Sequence, residues 1–488
     1  MKKAIIWLVI WTFHIAVAIT FENTIGGSGD DIAYSVKETS GGGYIIAGSS
    51  QDSLNGKKSM TLIKIDHSGN EEWRKITGGG NNEGFSAIET KDGSFVIAGF
   101  YVFHINETDS VNLIYIEKTD SEGNTIWTYE QPYVEETFVH NYAACEIIQT
   151  KDGGYASTGS PEYMPSWGSF SSFVLKLDSL GIKEWFTPDS TNYIGDESRS
   201  IVQTEDNGYV FTGQSDWNQH YSDIFLYKTD SIGNFQGLWI FGGTLYYSMS
   251  YSLKYTLDKG FVILGSTYGP SISLGYLIKT DENCIMEWDL IIGDQESETE
   301  NSVGKSIDVT ADGGYILTGN TEVISTGKSD IWLIKCDAAG NILWKQTFGM
   351  DGDDRVYSVQ QTTDGGYILA GYTDSFGSGG KDIWIIKTDE NGTAINNPLT
   401  PQTIKLHQNY PNPFNPYTKI WYNLTKTENV NLSVFNSKGE LVQILSDGKK
   451  EKGLYEVSFN ASELNSGIYF YKLTTENSCE TRKMLLLK

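Results

Sequence analysis

The sequence predicts an all-β protein: seven four-stranded repeats closed into a ring, followed by a small Ig-like β-sandwich. Three observations carry this. One aromatic turn phrase recurs seven times at steps of 51 to 60 residues. A second phrase, ending in tryptophan, follows it in most copies. The texture then changes after Asn396, where a Pro-rich linker opens an 85-residue segment of short alternating strands. Composition agrees, since 52 Gly, 13% aromatics and only 10 Pro suit short strands joined by tight turns. At 488 residues the chain exceeds what one core spans, so more than one domain is expected.

Residues 1–18 read as a signal peptide. Lys2 and Lys3 give a positive start, Ala4 to Ala18 is apolar apart from Thr12 and His14, and Ala16-Val17-Ala18 fits the small-x-small cleavage rule. The run is short for a membrane span and no basic flank follows it, which favours cleavage over an anchor.

The repeats occupy residues 19–396. The turn phrase reads Gly41-Gly42-Gly43-Tyr44 in its first copy and Asp364-Gly365-Gly366-Tyr367 in its last. Its aromatic residues are Tyr44, Phe95, Tyr155, Tyr209, Phe261, Tyr315 and Tyr367. The second phrase is clearest at Ile331-Trp332-Leu333-Ile334-Lys335-Cys336-Asp337, with Gly340-Asn341 and Trp344 beyond it. Trp73, Trp127, Trp185, Trp288 and Trp344 each stand seven residues after their Asp, whereas Trp239 stands nine after Asp230. These tryptophans are expected to pack between neighbouring sheets. Strands such as Arg355 to Gln361, Tyr367 to Tyr372 and Asp382 to Lys387, with Asp-Gly and Asn-Gly turns between them, make each unit a four-stranded antiparallel sheet. Such a unit repeated every fifty-odd residues is a β-propeller blade. The seventh unit has Asn396 where tryptophan is due, so its fourth strand is missing. Phe21-Glu22-Asn23-Thr24-Ile25 aligns with Trp344-Lys345-Gln346-Thr347-Phe348 and is expected to supply it, removing two exposed edges.

The Asp-x-x-Gly-Asn-x-x-Trp phrase is similar to the tryptophan-docking repeat of quinoprotein propellers, one residue shorter between Asp and Trp. The resemblance implies blade packing, not a quinone. The repeats as a whole resemble those of secreted bacterial propeller proteins.

Residues 397–403 are a linker and 404–488 a separate domain. Strands are expected at Thr418 to Leu424, Val430 to Asn436, Leu441 to Ile444, Leu454 to Asn460, Ile468 to Thr474 and Thr481 to Leu487, with one buried face each. The run Asn409-Tyr410-Pro411-Asn412-Pro413-Phe414-Asn415-Pro416, the Ser466-Gly467-Ile468-Tyr469 phrase and the terminal Lys483-Met484-Leu485-Leu486-Leu487-Lys488 resemble the type A sorting domain of type IX secretion cargo. The resemblance implies recognition by outer-membrane secretion machinery, reached through the periplasm, and delivery to the cell surface or medium.

Charge and motifs narrow the function. Residues 404–488 hold 11 basic and 8 acidic residues, so of the total charge of −26 the remainder of the chain carries −29. An acidic body argues against nucleic acid as a partner. The four cysteines, Cys145, Cys284, Cys336 and Cys479, show no metal or disulfide spacing, though Cys284 and Cys336 stand near equivalent points of adjacent repeats. No catalytic motif is present and the six histidines are scattered. No cofactor is expected. The one metal worth testing is calcium, at the acidic clusters Asp30-Asp31, Asp196-Glu197, Asp294 with Glu296, and Asp353-Asp354.

The turns joining strands one to two and three to four are short and uniform. The other loops vary and share the opposite face, where function on repeat scaffolds concentrates. Trp167, Trp217, Tyr163, Tyr133 and Tyr268 lie in those loops and are the candidate ligand-binding residues. The expectation is a secreted or surface-displayed module that binds a glycan or protein. A secreted polysaccharide-acting enzyme and a structural surface protein are the alternatives.

Overall fold

The structure, a computed structural model, describes residues 20–52, 55–77, 80–105, 110–131, 141–162, 172–188, 197–215, 222–242, 247–269, 272–293, 300–323, 328–350, 352–377, 380–394, 405–406, 409, 412–424, 427–450, 453–475 and 479–487. The signal segment therefore lies outside the described residues. The chain divides into two compact units, Met1–Thr393 and Ala394–Lys488. Among the described residues, the first unit contains seven four-stranded antiparallel sheets.

The turn phrase builds the inner hairpin of each blade. In blade six Thr310 Oγ1 donates to Asp312 Oδ1 (2.5 Å), which also accepts from Gly314 N (3.0 Å). Gly313 takes φ +82°, the left-handed region where glycine is unstrained. The same Asp312 carboxylate receives the buried Lys335 ammonium at 3.0 Å. Burial raises the Asp312 pKa, but the bonds from Thr310, Gly314 and Lys335 outweigh it and hold the carboxyl near 2. The lysine and aspartate repeat as Lys118–Asp92, Lys176–Asp152, Lys279–Asp258 and Lys387–Asp364, so the recurring lysine clasps the recurring turn.

The second phrase joins one blade to the next. The Trp288 indole of blade five lies over Gly340 in the outer turn of blade six. A Cβ on Gly340 would sit 2.8 Å from the ring. Trp73, Trp127, Trp185 and Trp344 cover Gly123, Gly181, Gly233 and Gly392 in the same way. Each also packs on the repeat aromatic of the next blade, as Trp288 does on Tyr315 with centroids 6.0 Å apart. Blade four departs from the rule. Gly237 pairs with Lys228, the register that tryptophan holds elsewhere (Trp288 with Lys279), while Trp239 pairs with Leu226. The Trp239 ring folds back over Gly237. In blade five the covered glycine is replaced by Cys284, at φ +63° and fully buried, in the same apolar cluster that Trp239 packs against. Cys284 and Cys336 are thus not equivalent: the first sits in an outer turn, the second ends a third strand. All four cysteines are free thiols.

Phe21–Ile25 pairs antiparallel with Asp382–Thr388, in register from Phe21↔Lys387 to Ile25↔Ile383, and is the fourth strand of blade seven. Phe21 takes the tryptophan position: a Cβ on Gly69 of blade one would meet its ring at 2.7 Å, and its centroid lies 6.0 Å from Tyr44.

The first strands touch their counterparts in both neighbouring blades and surround the axis. Serine hydroxyls tie them. Leu253 N donates to Ser200 Oγ (3.0 Å), Val359 N to Ser306 Oγ (3.2 Å), and Val36 N to Ser358 Oγ (3.2 Å), which closes the circle. In blade three Glu146 replaces serine and accepts from Ile201 N at 2.9 Å.

The second unit is a small two-sheet β domain. Lys405–Leu406, Tyr417–Leu424 and Gly453–Asn460 form one sheet. Leu441–Lys450, Glu428–Asn436, Gly467–Thr475 and Cys479–Leu486 form the other. Leu406, Ile420, Val434, Tyr471 and Met484 share its buried core.

Candidate functional site

Every first strand carries a register shift near its variable-loop end, at Ala33/Ser35, Gly84/Ser86, Ala144/Glu146, Ser198/Ser200, Ser250/Ser252, Gly304/Ser306 and Val356/Ser358. A bulge leaves one residue unpaired and re-aims its side chain. Those residues are Tyr34, Phe85, Cys145, Arg199, Tyr251, Lys305 and Tyr357, all half-buried. Neighbouring members touch in two groups, Tyr357 with Tyr34 and Phe85, and Arg199 with Tyr251 and Lys305.

The ring has two unlike arcs. Blades seven, one and two give aromatic rings, with Tyr34 centred 5.2 Å from Tyr357 and 5.1 Å from Phe85. Blades four, five and six place two cations about one ring: Lys305 Nζ lies 3.8 Å and Arg199 Cζ 5.0 Å from the Tyr251 centroid. Arg199 is ion-paired with Glu197, and its buried Nε has no hydrogen-bond partner among the described residues. Lys305 has no carboxylate partner among the described residues. Burial, then the Arg199 and Arg355 charges, bring its ammonium pKa down to about 7. Tyr251 Oη lies 3.2 Å from Tyr268 Oη, and burial raises its pKa.

The mouth carboxylates are engaged. Glu83 takes Lys58 at 2.6 Å and Tyr34 Oη at 3.0 Å; Asp353 takes Arg355 at 2.9 Å and Tyr372 Oη at 2.6 Å. One level deeper, Lys37, Lys254, Glu146 and Asp308 act on one another, with Lys254 Nζ 3.5 Å from Glu146. Burial, then Lys254, lowers the Lys37 pKa, while burial is outweighed at Lys254 by Glu146 and Asp308. Two cations meet two anions at that level, and the unmatched charge stands above it.

Of the candidate ligand residues, Tyr268 is half-buried beside Tyr251 at this mouth. Trp167, Trp217, Tyr163 and Tyr133 lie outside the described residues. Sequence reasoning missed the ring itself. Its signal was present, because each ring residue stands ten positions before the repeat aromatic, from Tyr34 before Tyr44 to Tyr357 before Tyr367.

The described members of the other candidate groups have partners within the fold. A cavity of about 610 Å³ opens between blades three and four beside Trp185, but Lys176 in its wall is already bound to Asp152 (3.0 Å) and Glu184 (2.9 Å). At the acidic clusters, Asp31 accepts from Gly27 N (2.8 Å), Asp30 from Lys381 N (3.0 Å), and Asp354 from Met350 N (2.8 Å) and Ser375 Oγ (2.7 Å). Asp196, Asp294 and Glu296 lie outside the described residues. Among the described residues no three His, Cys, Asp or Glu side chains gather at one point. Burial pushes the Cys284 and Cys336 thiols up to about 12, away from reactivity.

In the C-terminal domain the Asn-Pro-rich run is tied to the strands. Asn409 N donates to Tyr471 Oη (2.7 Å), Leu485 N to Asn412 Oδ1 (2.8 Å), and Phe414 N to Leu485 O (2.9 Å), with Phe414 buried. Lys483 pairs with Phe470, and Gly467 starts the strand beside it at φ +158°. Tyr410 and Pro411 lie outside the described residues.

Fold and site together define an exported seven-bladed β-propeller with a sorting tag. Residues 408–487 match the secretion system C-terminal sorting domain, which marks the chain for the type IX secretion machinery and for the outer cell surface or the medium. Among curated proteins no sequence matches this chain. Solved structures similar to it include a protein of unknown function from Dyadobacter fermentans DSM 18053, at 10% identity and TM-score 0.45, covering 75% of this chain and 98% of that one. A PL25 ulvan lyase bound to -[GlcA(1-4)Rha3S]- aligns at 8% identity and TM-score 0.49, over 76% and 96% of the two chains. The β-propeller domain of the Trilobed protease from Pyrococcus furiosus aligns at 13% identity and TM-score 0.41, over 75% and 98%. None of these likenesses carries an activity to this chain.

Proposed function

We propose that this protein is a surface-displayed or secreted binding module that takes an extracellular glycan or protein at the variable-loop mouth of its central channel. The observation that supports this reading is the half-buried set of bulge residues, in which Tyr34, Phe85 and Tyr357 pack together and Lys305 has no carboxylate partner among the described residues. Large aromatic side chains at a concave mouth suit ligand contact, and their polar edges suit an aqueous partner. Glu83, Glu197 and Asp353 each already hold a cation, which leaves them poor candidates for acid–base work and favours binding over hydrolysis.

The test is a glycan and peptide array probed with the mature chain and with the Tyr34→Ala/Tyr357→Ala variant. The reading expects a bound class whose signal falls at least about tenfold in the variant while circular dichroism shows that the variant, though less stable, is still folded at the assay temperature. A signal unchanged in the variant overturns the channel mouth as the site. Release of shortened sugar from a bound glycan favours the enzyme instead.

A further inference from the structure

We propose that the ligand of this mouth is an anionic sugar, a uronate or sulfated unit of an acidic polysaccharide, held by Lys305 and Arg199 on either side of Tyr251. The inference rests on the binding reading above and adds the chemistry of the ligand.

Three independent features lead to it. The first is the unmatched charge. Lys305 lies against Tyr251 at 3.8 Å, and its nearest charged influences are the cations Arg199 and Arg355. Arg199 and Arg355 are paired with Glu197 and Asp353, so one positive charge, that of Lys305, is left over for an anion to neutralise. The second is a guanidinium beside the same ring: Arg199 Cζ lies 5.0 Å from the Tyr251 centroid, with the group paired through Nη2 to Glu197. A carboxylate or sulfate oxygen is the acceptor that a guanidinium N–H is shaped for. The third is the aromatic arc of Tyr357, Tyr34 and Phe85 on the remaining side of the same ring. A bare inorganic anion or an acidic peptide has no need of three rings, whereas a pyranose offers C–H faces to stack on them.

The rest of the molecule sharpens the choice. Residues 1–403 carry −29, so a polyanion is repelled everywhere except where cations are concentrated. The deeper channel level offers no such attraction, because Lys254 is bound by Glu146 and Lys37 faces both Glu146 and Asp308. An anionic sugar is thus admitted to the mouth and stopped there.

The experiment measures binding of the intact mature chain to polygalacturonate, dextran sulfate, neutral dextran and poly-glutamate by titration calorimetry. Lys305→Gln and Lys305→Arg are measured beside it. The expected result is binding to polygalacturonate or dextran sulfate, absent with dextran, weakened about tenfold or more by Lys305→Gln and kept by Lys305→Arg. The two anionic glycans separate a carboxylate from a sulfate preference. Poly-glutamate bound as tightly as the glycans overturns the sugar assignment in favour of an acidic protein. Equal affinity for dextran, or binding indifferent to Lys305→Gln, overturns the charge assignment while the array result above still stands. No binding to either anionic glycan overturns the inference outright, whatever else the array finds.

Discussion

The Trp239 ring lies directly over the α-carbon of Gly237, two residues before it on the same strand, at the point where five other blades carry their tryptophan. A Cβ on Gly237 would come within 2.3 Å of Cη2 of the indole. Gly237→Ala should therefore destabilise the propeller by about 1–3 kcal/mol through overpacking. In a Trp239→Ala background the same substitution should cost less than about 0.5 kcal/mol, since the clashing ring is gone. Urea melts of the four proteins of this cycle measure the coupling, and additive effects would contradict the geometry.

Ring closure depends on Phe21. Its side chain is 5% exposed and fills the place that tryptophan holds in most other blades. Phe21→Ala should cost about 3–5 kcal/mol, while Thr24→Ala, exposed on the same strand, should change stability by less than about 0.5 kcal/mol. Thermal unfolding of both variants checks this; equal melting temperatures would leave the strand without an energetic role.

Lys305 ties two pH dependences of opposite sign. Its ammonium is brought from 10.5 down to about 7 in the folded chain, by burial and then by Arg199 and Arg355. Between those values the unfolded chain binds more protons, so this group makes stability rise with pH from about 7 to 10.5. Anion binding needs the charged form, so affinity for an acidic glycan should be greatest below about pH 7 and fall above it. Lys305→Gln should flatten both profiles, whereas Lys305→Arg should flatten the affinity profile at its high level. Melting temperature and affinity, each followed from pH 6 to 9, read the two effects separately.

The C-terminal unit has its own core, in which Leu406, Val434 and Met484 share one cluster. Removal of residues 394–488 should leave the propeller with its near-ultraviolet circular dichroism signal and melting transition intact. The truncated protein should accumulate in the periplasm, and fractionation of cells finds it there. Delivery to the surface or medium at the full-length level would show that export uses another signal.

Blade number and turn chemistry are readable in the sequence because each is written seven times. The Asp312 position is aspartate in six turns of seven, the left-handed Gly313 position is glycine in five with Asn207 and Lys259 in the others, and the Tyr315 position is always Tyr or Phe. The bulge ring escaped the same reading for the opposite reason. Its position holds Tyr34, Phe85, Cys145, Arg199, Tyr251, Lys305 and Tyr357, so a search for recurrence passes over it. The bulge that aims it at the axis is also invisible to a period-of-two reading of the strand. Trp239 shows a third limit. A gap of nine instead of seven marks an irregularity, but that the ring returns to the common place over Gly237, with Cys284 in the following turn, depends on side-chain volume rather than spacing. The Lys335–Asp312 clasp joins two phrases that the sequence presents as separate signals, and only pairing of the second and third strands brings them together.

The order of strands in blade seven bears on how the molecule withstands being pulled. Asp382–Thr388, the last strand before the chain leaves the propeller, lies between Tyr367–Thr373 and Phe21–Ile25. A load applied through the C-terminal tag reaches a strand hydrogen-bonded on both sides. It acts along the strand, across bonds that run perpendicular to it, so two ladders must shear together where an edge strand would peel bond by bond. The outer turn just beyond, with Gly392 under Trp344, adds a latch at the point of exit. The tag can thus be hauled on without unravelling its cargo, and the five residues from Phe21 to Ile25 supply that mechanical resistance.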